Sequence, residues 1–177
     1  MIRFFDFLLS LIGLVFLSPL LILIYLISLL DNGSPLFIQK RVGLNLKAFF
    51  LIKFRTMPMR TRSAGTHLIG DIKLTSFCYF LRRTKLDEIP QLINVFLGHM
   101  SFVGPRPCLF NQRKLISERK KRGIFKVKPG ITGLAQISNI NMKTPTLLSK
   151  TDLKMIKKMN LSNYFYYILI TIFKVII

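Results

Sequence analysis

Residues 7–30 read FLLSLIGLVFLSPLLILIYLISLL, a run of twenty-four positions without a charge. About 20 apolar residues make enough helix to cross roughly 30 Å of hydrocarbon, so this run sets the solvent in which the chain must fold. A removable secretory leader fits poorly, because the stretch is too long and no small-residue cleavage site follows it. Ser18-Pro19 stands near its centre. Proline has no N–H to give the preceding turn and clashes with it, so the helix is expected to bend there. Each half, about 11 residues at 1.5 Å per residue, reaches only about half of the bilayer. Two arrangements are open on these residues alone: a spanning helix with a tolerated kink, or a re-entrant helix–break–helix that dips into one leaflet and returns.

Beyond the run, Asp31-Asn32-Gly33-Ser34-Pro35 is a stop built of turn residues. Residues 35–39 and 49–54 have extended character around Gly43-Leu44-Asn45, which predicts a short hairpin. Residues 58–71 (PMRTRSAGTHLIGD) lack periodicity and read as a loop. A short helix is predicted over 76–83. A second is predicted from Leu86, where Leu86, Ile89, Leu92, Ile93, Phe96 and Leu97 keep the helical spacing up to Gly98. Around Pro105-Arg106-Pro107 the chain must be a rigid loop. A basic helix is expected over about 110–122, its Arg119–Arg122 run solvated or facing a membrane, and then a turn at Pro129–Gly133. The stretch 164–177 (YFYYILITIFKVII) is too short to span but suits an interface, where tyrosine is enriched.

Composition narrows the partners. The 177 residues carry 27 Lys+Arg against 7 Asp+Glu, a net charge of +20, while 51% of positions are hydrophobic. Removing the first thirty residues takes away one base and one acid, Arg3 and Asp6, so the whole +20 lies beyond the apolar run. Such a chain suits an anionic membrane surface; nucleic acid is the competing anionic partner. Cys78 and Cys108 imply no disulfide framework, and His67 and His99 lack neighbours at zinc-ligand spacing. No phosphate-loop, dinucleotide or CxxC motif is present.

Of the seven acids, two are adjacent: Asp87-Glu88, flanked by Arg82, Arg83 and Lys85, with Pro90 following. Locally this reads as an ordinary helix start, where acids complement the helix dipole. The same placement keeps a carboxylate ionised among cations, which suits a nucleophile or a magnesium ligand. Lys53, Arg55, Arg82, Arg83 and Arg106 are the candidate phosphate-binding cations.

Six segments in this order resemble the small monotopic phosphoglycosyl transferases, also called bacterial sugar transferases. They are the Ser18-Pro19 break, GSPLFIQKRVG at 33–43, KFRTM at 53–57, LRRTKLDEIPQLINV at 81–95, MSFVGPRP at 100–107 and KPGITGLAQI at 128–137. The resemblance runs from about Phe4 to Lys174. It implies transfer of a phospho-sugar from a UDP-sugar to polyprenyl (undecaprenyl) phosphate with release of UMP. Asp87 would be the covalent nucleophile and a ligand of Mg²⁺, and Glu88 its partner. Lys53, Arg55, Arg82, Arg106 and Gln136 would serve substrate phosphate or support the acids. The resemblance also favours the re-entrant arrangement, with residues 1–30 as the membrane helix and 31–177 as a catalytic domain on the cytoplasmic face of a bacterial inner membrane. The expected fold is a single mixed α/β domain, mostly helical, with interfacial amphipathic helices, resting on anionic lipid and binding no nucleic acid. Several positions depart from the family pattern: Pro58-Met59-Arg60 and His99 stand where acids are common, Lys73 replaces Arg, Cys78 Gly and Leu134 Trp. The rival of another class is a basic membrane-tethered protein that binds anionic lipid or nucleic acid without catalysis; it has no use for the ordered Asp-Glu and Pro-Arg-Pro segments.

Overall fold

The long apolar run forms α1, Ile2–Asn32, in a computed structural model that describes residues 1–58 and 74–176. The loop expected at 58–71, apart from Pro58, lies outside the described residues, as do Met59, Arg60, His67 and Lys73. Gly33 ends α1 in the left-handed conformation (φ 67°), its N–H closing on the Leu29 carbonyl at 2.9 Å. The helix is continuous through Ser18-Pro19, where the sequence predicts a bend. Pro19 leaves the Val15 carbonyl without its helical donor, and the Ser18 hydroxyl takes that place, donating to Val15 O at 2.7 Å. The serine thus compensates the proline, and the helix persists.

At 31 residues and 1.5 Å each, α1 is about 46 Å long, yet both of its ends bond to the rest of the chain. Arg3 donates to the carbonyls of Val95 (2.6 Å) and Phe96 (2.9 Å). The buried Asp6 accepts from Ser101 Oγ, Phe102 N and the Tyr164 hydroxyl, all at about 3 Å. At the other end Ile24 is buried with Phe54 and Leu81, and Asp31 accepts from Thr75 Oγ1 at 2.8 Å. Between these anchorages Val15 and Phe16 are 62% and 80% exposed.

The expected hairpin is present as β1, Leu36–Val42, antiparallel to β2, Ala48–Phe54, joined through a 3-10 turn at Leu44–Leu46. A side chain extends this ribbon: the buried Asn94 amide donates to Phe50 O (2.7 Å) and accepts from Ile52 N (3.0 Å), as a third strand would. Helix α2, Ser76–Arg83, is capped by the Thr75 hydroxyl. The helix expected from Leu86 is split. Leu86–Glu88 is a 3-10 turn, Pro90 leads into α3 at Gln91–Phe96, and Gly98 (φ +80°) stops it.

Two short strands stand where the sequence suggests only loop and turn. β3, Ser101–Val103, pairs in parallel with β4, Gly130–Thr132. Three-residue strands leave no alternation to read. Their extension is set by contact: a Cβ on Gly130 would sit 2.0 Å from Gly104 N, so glycine is required for the two backbones to meet. The basic helix is α4, Arg113–Lys121, shorter than predicted at both ends, and its run is not uniform. Arg119, expected at the surface, is 1% exposed and paired with Asp152, itself fully buried. Three further helices complete the chain: α5, Leu134–Ile137; α6, Pro145–Lys157; and α7, Leu161–Ile176. Tyr164 and Tyr167 of α7 pack with Val103 and Met155, while Tyr166, Leu169, Ile172 and Phe173 remain exposed. The result is a mostly helical mixed α/β domain with one long apolar helix.

Candidate active site

The adjacent acids are held on a turn rather than in a helix. Lys85 adopts φ 58°, which reverses the chain after α2, and Asp87 and Glu88 follow, four and three residues before α3 begins. One reversal therefore sets both acids beside β2 and brings Glu88 to the Pro105-Arg106-Pro107 loop.

Their surroundings drive them apart chemically. Glu88 meets Arg106 in a two-pronged ion pair, with Oε1 2.5 Å from Nη2 and Oε2 3.3 Å from Nη1. Burial alone would raise the Glu88 pKa, but the Arg106 charge and hydrogen bonds, helped by Lys85 and Lys53, bring it down to about 2. Asp87 is 5% exposed, and among the described residues no hydrogen bond or ion pair holds its carboxylate. Burial and then the Glu88 charge push it up to about 6, against the pull of Lys53, Lys85 and Arg82. One carboxylate is locked and the other is uncommitted.

The sequence candidates divide around this pair. Lys53 on β2 belongs to it: burial lowers its pKa, and the charges of Asp87 and Glu88 pull it back. Arg82 stands at the margin, its Nε donating to the buried Thr56 hydroxyl at 2.9 Å while its charge still reaches Asp87. Arg55 does not join the acids; it lies against the Phe37 ring and donates to Leu36 O at 3.2 Å. Gln136 is likewise apart, its amide donating to Gly104 O at 3.3 Å. Arg83 is exposed.

Arg41 was not among the candidates, although it stands in the 33–43 segment. Burial, then the Arg106 charge, lowers its pKa to about 10; it donates to Gln39 Oε1 and to Pro107 O at 3.1 Å. A basic residue in an alternating strand carries no local sign that it will be half-buried beside another arginine.

Residues 1–177 match the sequence profile of the bacterial sugar transferases. The chain belongs to the bacterial sugar transferase family. It is 46% identical over 113 residues to an uncharacterized sugar transferase, EpsL, of Bacillus subtilis, covering 63% of this chain and 55% of that protein. It is 39% identical over 150 residues to a UDP-glucose:undecaprenyl-phosphate glucose-1-phosphate transferase of Xanthomonas campestris, covering 80% and 31%. With an undecaprenyl-phosphate galactose phosphotransferase of Salmonella typhimurium it shares 33% over 156 residues, covering 78% and 33%. The chain thus spans between about a third and about half of the length of these relatives.

Among the described residues the donor set for a cation is small. Among the described residues no three His, Cys, Asp or Glu side chains cluster together, and Glu88 is engaged by Arg106. Of the adjacent acids Asp87 is the one without an ion pair among the described residues, and a single carboxylate is within what Mg²⁺ takes beside waters and substrate phosphates.

Proposed function

We propose that this chain transfers a phospho-sugar from a UDP-sugar to polyprenyl phosphate through a covalent intermediate on Asp87. The observation that carries this reading is the uncommitted, buried Asp87 carboxylate beside a Glu88 locked by Arg106. The relatives named as undecaprenyl-phosphate sugar phosphotransferases supply the substrate class.

An Asp87 oxygen attacks the phosphorus that bears the sugar. The phosphoanhydride bond breaks, its electron pair leaves with UMP, and an acyl phosphate carrying the sugar remains on Asp87. An oxygen of polyprenyl phosphate then attacks the same phosphorus, giving the polyprenyl diphosphosugar and freeing the carboxylate. Splitting one difficult displacement into two is the gain of covalent catalysis. Low hydration makes Asp87 a better nucleophile, and Lys53 and Arg106 offset the anionic charge of the donor. Mg²⁺, held by Asp87 and the diphosphate, would neutralise further charge there.

The anchorage of both ends of α1 on one domain supports a helix that enters and leaves the membrane on the same face. The +20 charge beyond the apolar run favours the cytoplasmic side of an inner membrane.

Membranes containing the protein are expected to release UMP from one or more of a panel of UDP-sugars. Rapid quenching should trap the labelled sugar on the wild-type chain and not on Asp87→Asn, which should not turn over. An active Asp87→Asn variant removes the assigned nucleophile. EDTA should stop UMP release and added Mg²⁺ restore it; undiminished activity in EDTA removes the metal from this reading.

A further inference from the structure

Arg106 can grip Glu88 only if the loop that carries it is held still, and the loop is held at every peptide. Gly104 O accepts from the Gln136 amide (3.3 Å) and Pro105 O from Gly130 N (3.0 Å). Arg106 O accepts from Arg119 Nη1 (2.7 Å), Pro107 O from Arg41 Nη1 (3.1 Å) and Cys108 O from Val42 N (3.0 Å). Five consecutive carbonyls are tied to α5, β4, α4 and β1. The tie at residue 106 itself is the shortest and comes from a buried charge.

We propose that Arg119, clamped by Asp152, is a positioning residue that aims Arg106 at Glu88. The inference rests on the catalytic reading above. Arg119 commits its whole fork: Nε (3.0 Å) and Nη2 (2.7 Å) go to Asp152 Oδ2, and Nη1 goes to the Arg106 carbonyl. Asp152 thereby fixes the guanidinium plane, and the remaining N–H meets the loop in one geometry. Asp152 Oδ1 stays buried without a partner among the described residues, so the pair is not built for stability alone. A buried ion pair can often be exchanged for apolar residues of similar volume without loss of stability. One that bonds directly to the backbone of the catalytic arginine has a use that apolar residues cannot supply: a donor for the loop.

That exchange is also the test. Replacing the pair by Arg119→Met and Asp152→Leu together leaves no orphaned buried charge, and the protein should melt near the wild-type temperature in detergent. UMP release should lose on the order of 10–100-fold in kcat, the cost of a small misplacement at a reacting centre, with little change in KM for the UDP-sugar. In an Arg106→Ala background the same exchange should cost nothing more, because its effect passes through Arg106. Wild-type activity of the exchanged protein, or the same fold-loss in both backgrounds, overturns the proposal. If the exchange does not fold, Asp152→Asn, which keeps shape and acceptor, takes its place in the cycle. If the wild type releases no UMP, the catalytic reading fails by itself. The side-chain Nε–H NMR signal of Arg106, assigned by its absence in Arg106→Lys, then decides: broadening on the exchange supports positioning, and an unchanged signal refutes it.

Discussion

Asp87 loses most of its hydration on folding and gains no hydrogen-bond partner among the described residues. A carboxyl raised from 3.8 to about 6 costs the folded state about 3 kcal/mol once it is ionised. The sign follows from proton binding. Below about pH 4 folded and unfolded forms are both protonated and the cost is absent; it grows as pH rises and is complete above about 6. Asp87→Asn is therefore expected to be inactive yet to melt several degrees higher than wild type near pH 7, with the gap closing in acid. Equal melting temperatures near neutrality would mean that Asp87 is solvated or paired. Asp87, Glu88 and Arg106 stood out as candidates in the sequence, since acids are few and the proline-flanked arginine is conspicuous, whereas Lys53 was singled out by the family resemblance of its segment. Arg41 and Arg119 were not, because burial of a base depends on what a distant segment brings to it, and Arg119 stands in a run that otherwise looks solvated.

In α1 the local physics of one dipeptide competes with tertiary anchorage. Ser18 repays the carbonyl freed by Pro19, so the helix need not break at that point. What speaks for the same-face arrangement proposed above is the pair of anchorages, Arg3 and Asp6 at one end and Ile24 and Asp31 at the other. A cysteine at residue 2, with Cys78 and Cys108 replaced, should be protected from an impermeant thiol reagent on intact spheroplasts. Combining Pro19→Ala with Asp6→Ala restores the helical donor to Val15 O, removes three bonds at the buried end, and should bring labelling. Labelling of the otherwise wild-type chain means that α1 spans. The hairpin and α2 were readable because each carries its own turn or cap, Gly43-Leu44-Asn45 and Thr75. The split before α3 was not, since apolar spacing continues smoothly through a 3-10 turn that the left-handed Lys85 forces.

Taken whole, the molecule pairs a basic domain with a large uncovered apolar surface: α1, Tyr79 and Phe80 of α2, and the outer face of α7. Screening by salt weakens exposed charges, whereas apolar burial persists. A high-salt wash is therefore expected to leave the protein in the membrane pellet and detergent to release it; release by salt alone would mean that lipid charge, not apolar contact, holds the chain. By itself the sequence determined the apolar helix, the excess of positive charge, the ordered segments of the family and the identity of the adjacent acids, because each is a local property of composition or spacing. Only the tertiary structure decided that both ends of α1 meet one domain, that β3 and β4 pair through Gly104 and Gly130, and that Glu88 is locked while Asp87 has no such partner among the described residues. Those outcomes depend on which distant groups arrive beside a residue and how much water they displace, and such quantities exist only once the chain has packed.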